Sequence, residues 1–125
     1  VMIRGFIIFI LLNCILPEGN AQARVENHIS DIRIEEQGDV ISIMAIFSNQ
    51  SDTLTTLKYQ LKTTKEGHSG KSFSRQSGTL LAEPGEEVTL STTKHYWQAG
   101  DMNRIRLIIY RENQAYINNI KTIRR

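Results

Sequence analysis

From Asn27 onward, apolar and polar residues change places with a period of two. Leu57, Tyr59 and Leu61 alternate with Lys58, Gln60 and Lys62, and Ile105, Leu107 and Ile109 share one side of a run whose other side carries Arg104 and Arg106. This is the pattern of strands with one buried and one wet face. Five further segments fit it. Ile29, Ile32 and Ile34 mark the first strand, residues 40–47 the second, 71–81 the fourth, Val88 and Leu90 the fifth, and 114–123 the seventh. Turn residues separate them: Gln37-Gly38-Asp39, Ser48 to Asp52, Glu66 to Gly70, Glu83 to Glu86, and Arg111 to Gln114. No stretch keeps a helical period over ten residues. Seven short strands at this spacing predict an all-β, seven-stranded immunoglobulin-like antiparallel β-sandwich, with a small closed barrel as the alternative. Tyr96 and Trp97 fall between the fifth and sixth strands and are expected to cap the core.

The N-terminus breaks this pattern. Arg4 precedes an eleven-residue apolar run from Phe6 to Leu16, interrupted only by Asn13 and Cys14. Pro17 to Asn20 ends the run, and Ala21-Gln22-Ala23 is an A-x-A cleavage site. The arrangement is that of a signal peptide over 1–23, with the domain occupying 24–125. A transmembrane helix needs about 20 apolar residues, which this run lacks. Cleavage after Ala23 would carry Cys14 away, leaving a domain without a thiol. Neither a disulfide, nor a Cys-based zinc cage, nor cysteine catalysis is then open to it.

At 125 residues, with 15 Lys+Arg against 13 Asp+Glu, the chain holds one domain and is too short for a multi-domain enzyme. A net charge of +2 gives no case for nucleic acid. Motifs that resemble chemistry fail on inspection. Gly67 to Ser72 looks like the tail of a phosphate-binding loop, but Lys65 stands where the first glycine belongs and a strand follows instead of a helix. A triad from Ser69, His68 or His95, and Asp101 has no supporting spacing. The three His are scattered singly, so no metal site is indicated. The chain is expected to be no enzyme and to need no cofactor. Asn49-Gln50-Ser51 fits a glycosylation acceptor, a common chance motif.

What remains is charge on a sheet. Lys58 and Lys62 project from the wet side of the third strand, and Arg104 and Arg106 from that of the sixth. In an immunoglobulin-like sandwich these strands are neighbours, so the four cations share a face. Lys65, Lys71 and Arg75 lie on or near the adjoining hairpin, while Glu35, Glu36, Glu83, Glu86 and Glu87 fall elsewhere. Charged strand exteriors are commonplace because they block edge-to-edge aggregation. The functional alternative is an electrostatic docking face for an acidic partner.

The run from Tyr59 to Leu81 holds a strand ending in a basic residue, the Glu66-Gly-His-Ser-Gly70 turn and a Ser-rich stretch leading into Gln76-Ser77-Gly78. Pro84-Gly85 and Val88-Thr-Leu-Ser91 follow. Together these resemble the CsgC/CsgH family of curli assembly proteins. The resemblance implies a periplasmic immunoglobulin-like sandwich that acts as a chaperone-like inhibitor of amyloid, and the domain is expected to be a monomer. Its partner would be the major curli subunit, held transiently and electrostatically, with no nucleic acid and no membrane involved after signal cleavage. Carried over by position, client contact falls on Lys58, Lys62, Arg104 and Arg106, with Lys71 and Arg75 beside them. Gly67, Ser69, Gly70, Gln76, Ser77 and Gly78 match the motif and are expected to set the turn and hairpin, glycine serving where φ is positive. Some members of that family carry a Cys-x-Cys pair where this chain has Leu57-Lys58-Tyr59, so no redox role transfers. A fibronectin-like adhesion module and a strand-exchanging, pilus-type chaperone are the competing readings.

Overall fold

The computed structural model describes residues 20–68 and 70–125, with the Asn20 side chain excepted. Most of the expected signal peptide, with Cys14, therefore lies outside the described residues, as does Ser69. Among the described residues eight antiparallel strands form two four-stranded sheets. The first sheet contains β1 (Asn20–Val25), β2 (His28–Gln37), β3 (Val40–Asn49) and β6 (Glu87–Tyr96), in the order β1-β2-β3-β6. The second contains β4 (Thr55–Gly67), β5 (Gly70–Ala82), β7 (Met102–Arg111) and β8 (Gln114–Arg124), in the order β5-β4-β7-β8.

The seven expected strands are β2 to β8, so the sandwich stands and the count rises by one. The extra strand, β1, alternates Ala21, Ala23 and Val25 toward the core with Gln22 and Arg24 outward. Its inward side chains are small, which hides the alternation. Ala21 to Ala23, the expected cleavage tripeptide, sits inside β1, and a cut after Ala23 would leave only Arg24 and Val25 of the strand.

The core lies between the sheets. Ile32, Ile41, Ile43 and Phe47 come from the first sheet, and Leu57, Leu61, Ile105, Leu107, Ile109 and Ile117 from the second. All have the parity that the period-two pattern assigns to the inner face. Trp97 is buried with them, as expected. Tyr96 is not: it pairs with Val40 on the outer side of β6 and is 73% exposed, because adjacent strand residues point to opposite faces.

Polar groups close the ends of the sandwich. The fully buried Asn49 donates from Nδ2 to the carbonyls of Thr53, Ala82 and Glu83, and its Oδ1 accepts from the Ser51 amide at 3.0 Å. It ties the end of β3 to two loops, and its buried, fully engaged amide is closed to glycosylation. His28 lies between the rings of Phe47 and Tyr116. Its Nδ1 is 3.0 Å from Tyr116 Oη in β8 and its Nε2 is 3.2 Å from Thr55 Oγ1 in β4, so it bridges the sheets. At the other end Arg125 donates to the Trp97 carbonyl at 2.7 Å and pairs with Asp39 at 3.1 Å. The two-residue turn between β7 and β8 holds Glu112 and Asn113 both at positive φ, the primed geometry whose twist matches a hairpin.

Candidate functional site

Strand register fixes what the outer face of the second sheet presents. β4 lies between β5 and β7, with Lys62 directly opposite Arg75 on one side and Arg106 on the other. Three cations therefore stand in one row across three strands. The next row runs Phe73, Thr64, Arg104, Thr122. Lys58 sits nearer the other end, opposite Thr79 and Tyr110. The structure thus places Lys58, Lys62, Arg104 and Arg106 on a single face and brings Lys71 and Arg75 onto it. Among the described strand residues one acid, Glu66, shares the face, paired with Lys71 at 3.3 Å, and Glu112 of the β7–β8 turn lines the same hollow as Lys58, Thr79 and Tyr110.

Little on this face neutralises the central row. Arg106 donates to Asn118 Oδ1 at 3.1 Å, and Arg75 lies 5.8 Å from the centre of the Phe73 ring. The other sheet handles charge differently. There Arg33 is held between Asp31 at 2.9 Å and Glu87 at 3.0 Å, and Glu35 lies on the same outer side. Like charges directly opposite one another on a sheet are destabilising, and a surface designed only for solubility alternates the signs. The Arg75–Lys62–Arg106 row does the reverse.

Lys65 leaves the face. It shares the parity of Leu61 and Thr63, and its Nζ donates to the Tyr96 carbonyl at 2.9 Å and lies 3.6 Å from Asp101. That parity is legible in the sequence. Three exposed apolar side chains also belong to the face: Phe73 and Leu81 on β5, 58% and 59% exposed, and Ile120, 46% exposed and opposite Arg106. Phe73 falls between Lys71 and Arg75 on the outward side of β5, a spacing that was available as a signal.

The glycine and glutamine positions of the motif have structural explanations. Gly70 has φ +116°, as expected for a turn. Gly67 and Gly78 are needed for space instead. A Cβ at Gly67 would sit 2.8 Å from Asp101 Cγ, and one at Gly78 would sit 3.0 Å from the Tyr59 ring that covers it. Tyr59 then reaches β6, where its hydroxyl donates to the Leu90 carbonyl at 3.1 Å. Gln76 also crosses to β6, donating to Thr93 Oγ1 and accepting from Ser91 Oγ. Ser77 lies on the outward side opposite Gln60.

His95 Nε2 lies 2.9 Å from Asn103 Oδ1, and Asp101 accepts from the Gln98 amide at 2.9 Å, so neither belongs to a triad. Among the described residues no three His, Cys, Asp or Glu side chains gather as a metal site, and no helix is long and apolar enough to cross a membrane.

Fold and face together define an immunoglobulin-like β-sandwich with a cationic outer sheet. Among solved structures, the chain is similar to R. palustris CsgH, with 17% identity and a TM-score of 0.57 over 72% of this chain and 87% of that one. It is also similar to the E. coli curli protein CsgC, with 18% identity and a TM-score of 0.59 over 70% of this chain and 92% of that one. The fold is that of CsgC and CsgH. No family model and no curated protein matches the chain.

Proposed function

We propose that this domain is a periplasmic inhibitor of amyloid formation that serves curli assembly. It would be exported by the signal peptide over 1–23 and act as a monomer, with no enzymatic activity, on the major curli subunit as its client. The observation that carries this reading is the row Arg75–Lys62–Arg106, flanked by Arg104, Lys58 and Lys71. Cations in direct register weaken the sheet unless something negative lies across them. An acidic, disordered client would relieve that repulsion. The contact steers encounter and weakens with salt, and the entropy of ordering the client keeps it transient. The shared fold of the E. coli curli protein CsgC supports the assignment.

The test is thioflavin-monitored polymerisation of the curli subunit at substoichiometric doses of the domain. Wild type should lengthen the lag, and a variant with Lys58, Lys62, Arg104 and Arg106 all changed to Glu should not, while keeping its strand spectrum. Undiminished inhibition by that variant removes the face from the mechanism. A wild-type domain that leaves the lag unchanged favours the adhesion-module reading.

A further inference from the structure

β5 carries backbone hydrogen-bonding capacity that the fold leaves unused. It pairs with β4 along one side from Gly70 to Ala82 and is the outermost strand of its sheet. Its described residues from Gly70 to Thr79 are exposed on both faces, so the facing sheet does not cover them. Gln76 links it to β6 through side chains, and no backbone bond joins these two strands among the described residues. Such an edge offers unpaired N–H and C=O groups to any extended segment.

Natural edges are blunted by proline, bulges, short length or charge. β5 has neither a proline nor a register shift, and it is 13 residues long. Charge alone guards it, and all of that charge is positive. Lys71 and Arg75 stand on the outward side with Phe73 between them, while Ser72, Ser74 and Gly78 on the inward side are small and neutral. A second copy of the chain fits badly. An antiparallel pairing that joins the two Phe73 side chains sets Lys71 of one copy opposite Arg75 of the other. An acidic strand converts the same positions from repulsion to attraction.

We infer that the free edge of β5 takes up one extended segment of an acidic client by strand addition. In that segment two carboxylates four positions apart face Lys71 and Arg75, and an apolar residue midway faces Phe73. The spacing follows from the period of two along the outward row. Main-chain bonds supply affinity and the side-chain row supplies selection. The inference rests on the proposed action toward an acidic client and adds where, and in what register, the client is held. A segment bound in this way has one edge occupied, and fibre growth needs each strand paired above and below.

The probe is a short Ser/Thr peptide with aspartates four apart and phenylalanine midway, titrated into the whole domain. Two N-methylated forms carry the methyl groups on alternate sets of amides and have identical charge. One set faces β5 and the other faces solvent. One form should bind like the parent and the other at least about tenfold more weakly, a loss of about 1.4 kcal/mol. Aspartates three apart should also weaken binding, as should Lys71→Glu combined with Arg75→Glu at those exposed positions. Equal binding of the two methylated forms, or no binding of the parent peptide, overturns strand addition. If inhibition of polymerisation still depends on Lys62 and Arg106 in that event, the basic face survives without the edge. If that dependence is lost while the methylated forms still differ, the face fails and the edge stands.

Discussion

Neutralising Lys62 should make the domain more stable and a poorer inhibitor. Its ammonium stands in register with two guanidinium-bearing residues, Arg75 and Arg106. At about 6 Å, near the spacing of directly opposed side chains, two like charges repel by about 0.7 kcal/mol in water, and physiological salt roughly halves that. Two neighbours therefore destabilise the sheet by about 0.7 kcal/mol together. Lys62→Gln should recover that amount and raise Tm by about 3–6 °C in a domain of this size. Lys62→Glu, which adds attraction to both arginines, should gain about twice as much.

Lys58→Gln is the matched control, because Lys58 faces Thr79 and Tyr110 and has no cation directly opposite. Both substitutions shorten the stem, so their difference isolates the row. Thermal melts at low and high salt complete the assay. Wild-type stability should rise with salt as the row is screened, and the Lys62→Gln protein should rise less. A Lys62→Gln domain that melts at or below wild type, with unchanged salt dependence, would refute the reasoning. The three side chains would then splay into solvent without strain, and the row would give no reason to look for an anionic partner.

Two further outcomes follow from the interior. Burial, helped by the nearby Arg111, holds the pKa of His28 below its usual 6.5, so the folded protein binds that proton less well than the unfolded chain. Stability is then complete above about pH 6.5 and falls as pH drops through that value toward the lower folded-state pKa. Urea midpoints should decline over this window in wild type and stay flatter in His28→Gln; identical slopes would rule His28 out as the source. At the N-terminus, a domain beginning at Asn20 should be about 2–4 kcal/mol more stable than one beginning at Arg24. The longer form keeps the pairing of Asn20–Ala23 with Ser30–Arg33 and the 2.8 Å bond from Asn119 Nδ2 to the Ala21 carbonyl. Equal melting temperatures would mean that this half of β1 contributes nothing.

Side-chain parity made most of the architecture legible. Leu57, Leu61, Ile105 and Leu107 point inward because their neighbours are charged, and the adjacency of β4 and β7 follows from the fold class. Register was not legible. A shift by two residues would keep every side chain on its face yet set Lys62 opposite Arg104, or opposite an apolar residue, and turn geometry decides which. β1 is hidden in the sequence because Ala21 and Ala23 are small and sit in a cleavage-like tripeptide. Asn49 reads as a turn residue, since nothing local indicates that its amide will reach the distant carbonyls of Ala82 and Glu83 as well as that of nearby Thr53. Gly67 and Gly78 resembled turn glycines, whereas Asp101 and Tyr59, remote in sequence, are what exclude a side chain there.

The strained row and the unused edge meet in one hairpin, β4–β5, and the energetics allow it. Burying an aliphatic or aromatic core side chain stabilises by about 1.5–3 kcal/mol, so a single residue such as Phe47 outweighs the whole repulsion along the row. The core comes chiefly from β3 and β7, and β5 adds to it only through Leu80 and Ala82 at its C-terminal end. Changes on the outer face of the hairpin should therefore alter client binding without unfolding the domain. Loss of inhibition accompanied by unchanged or increased stability is the pattern expected of a docking surface. A surface whose charges served only to hold the sheet together would lose both.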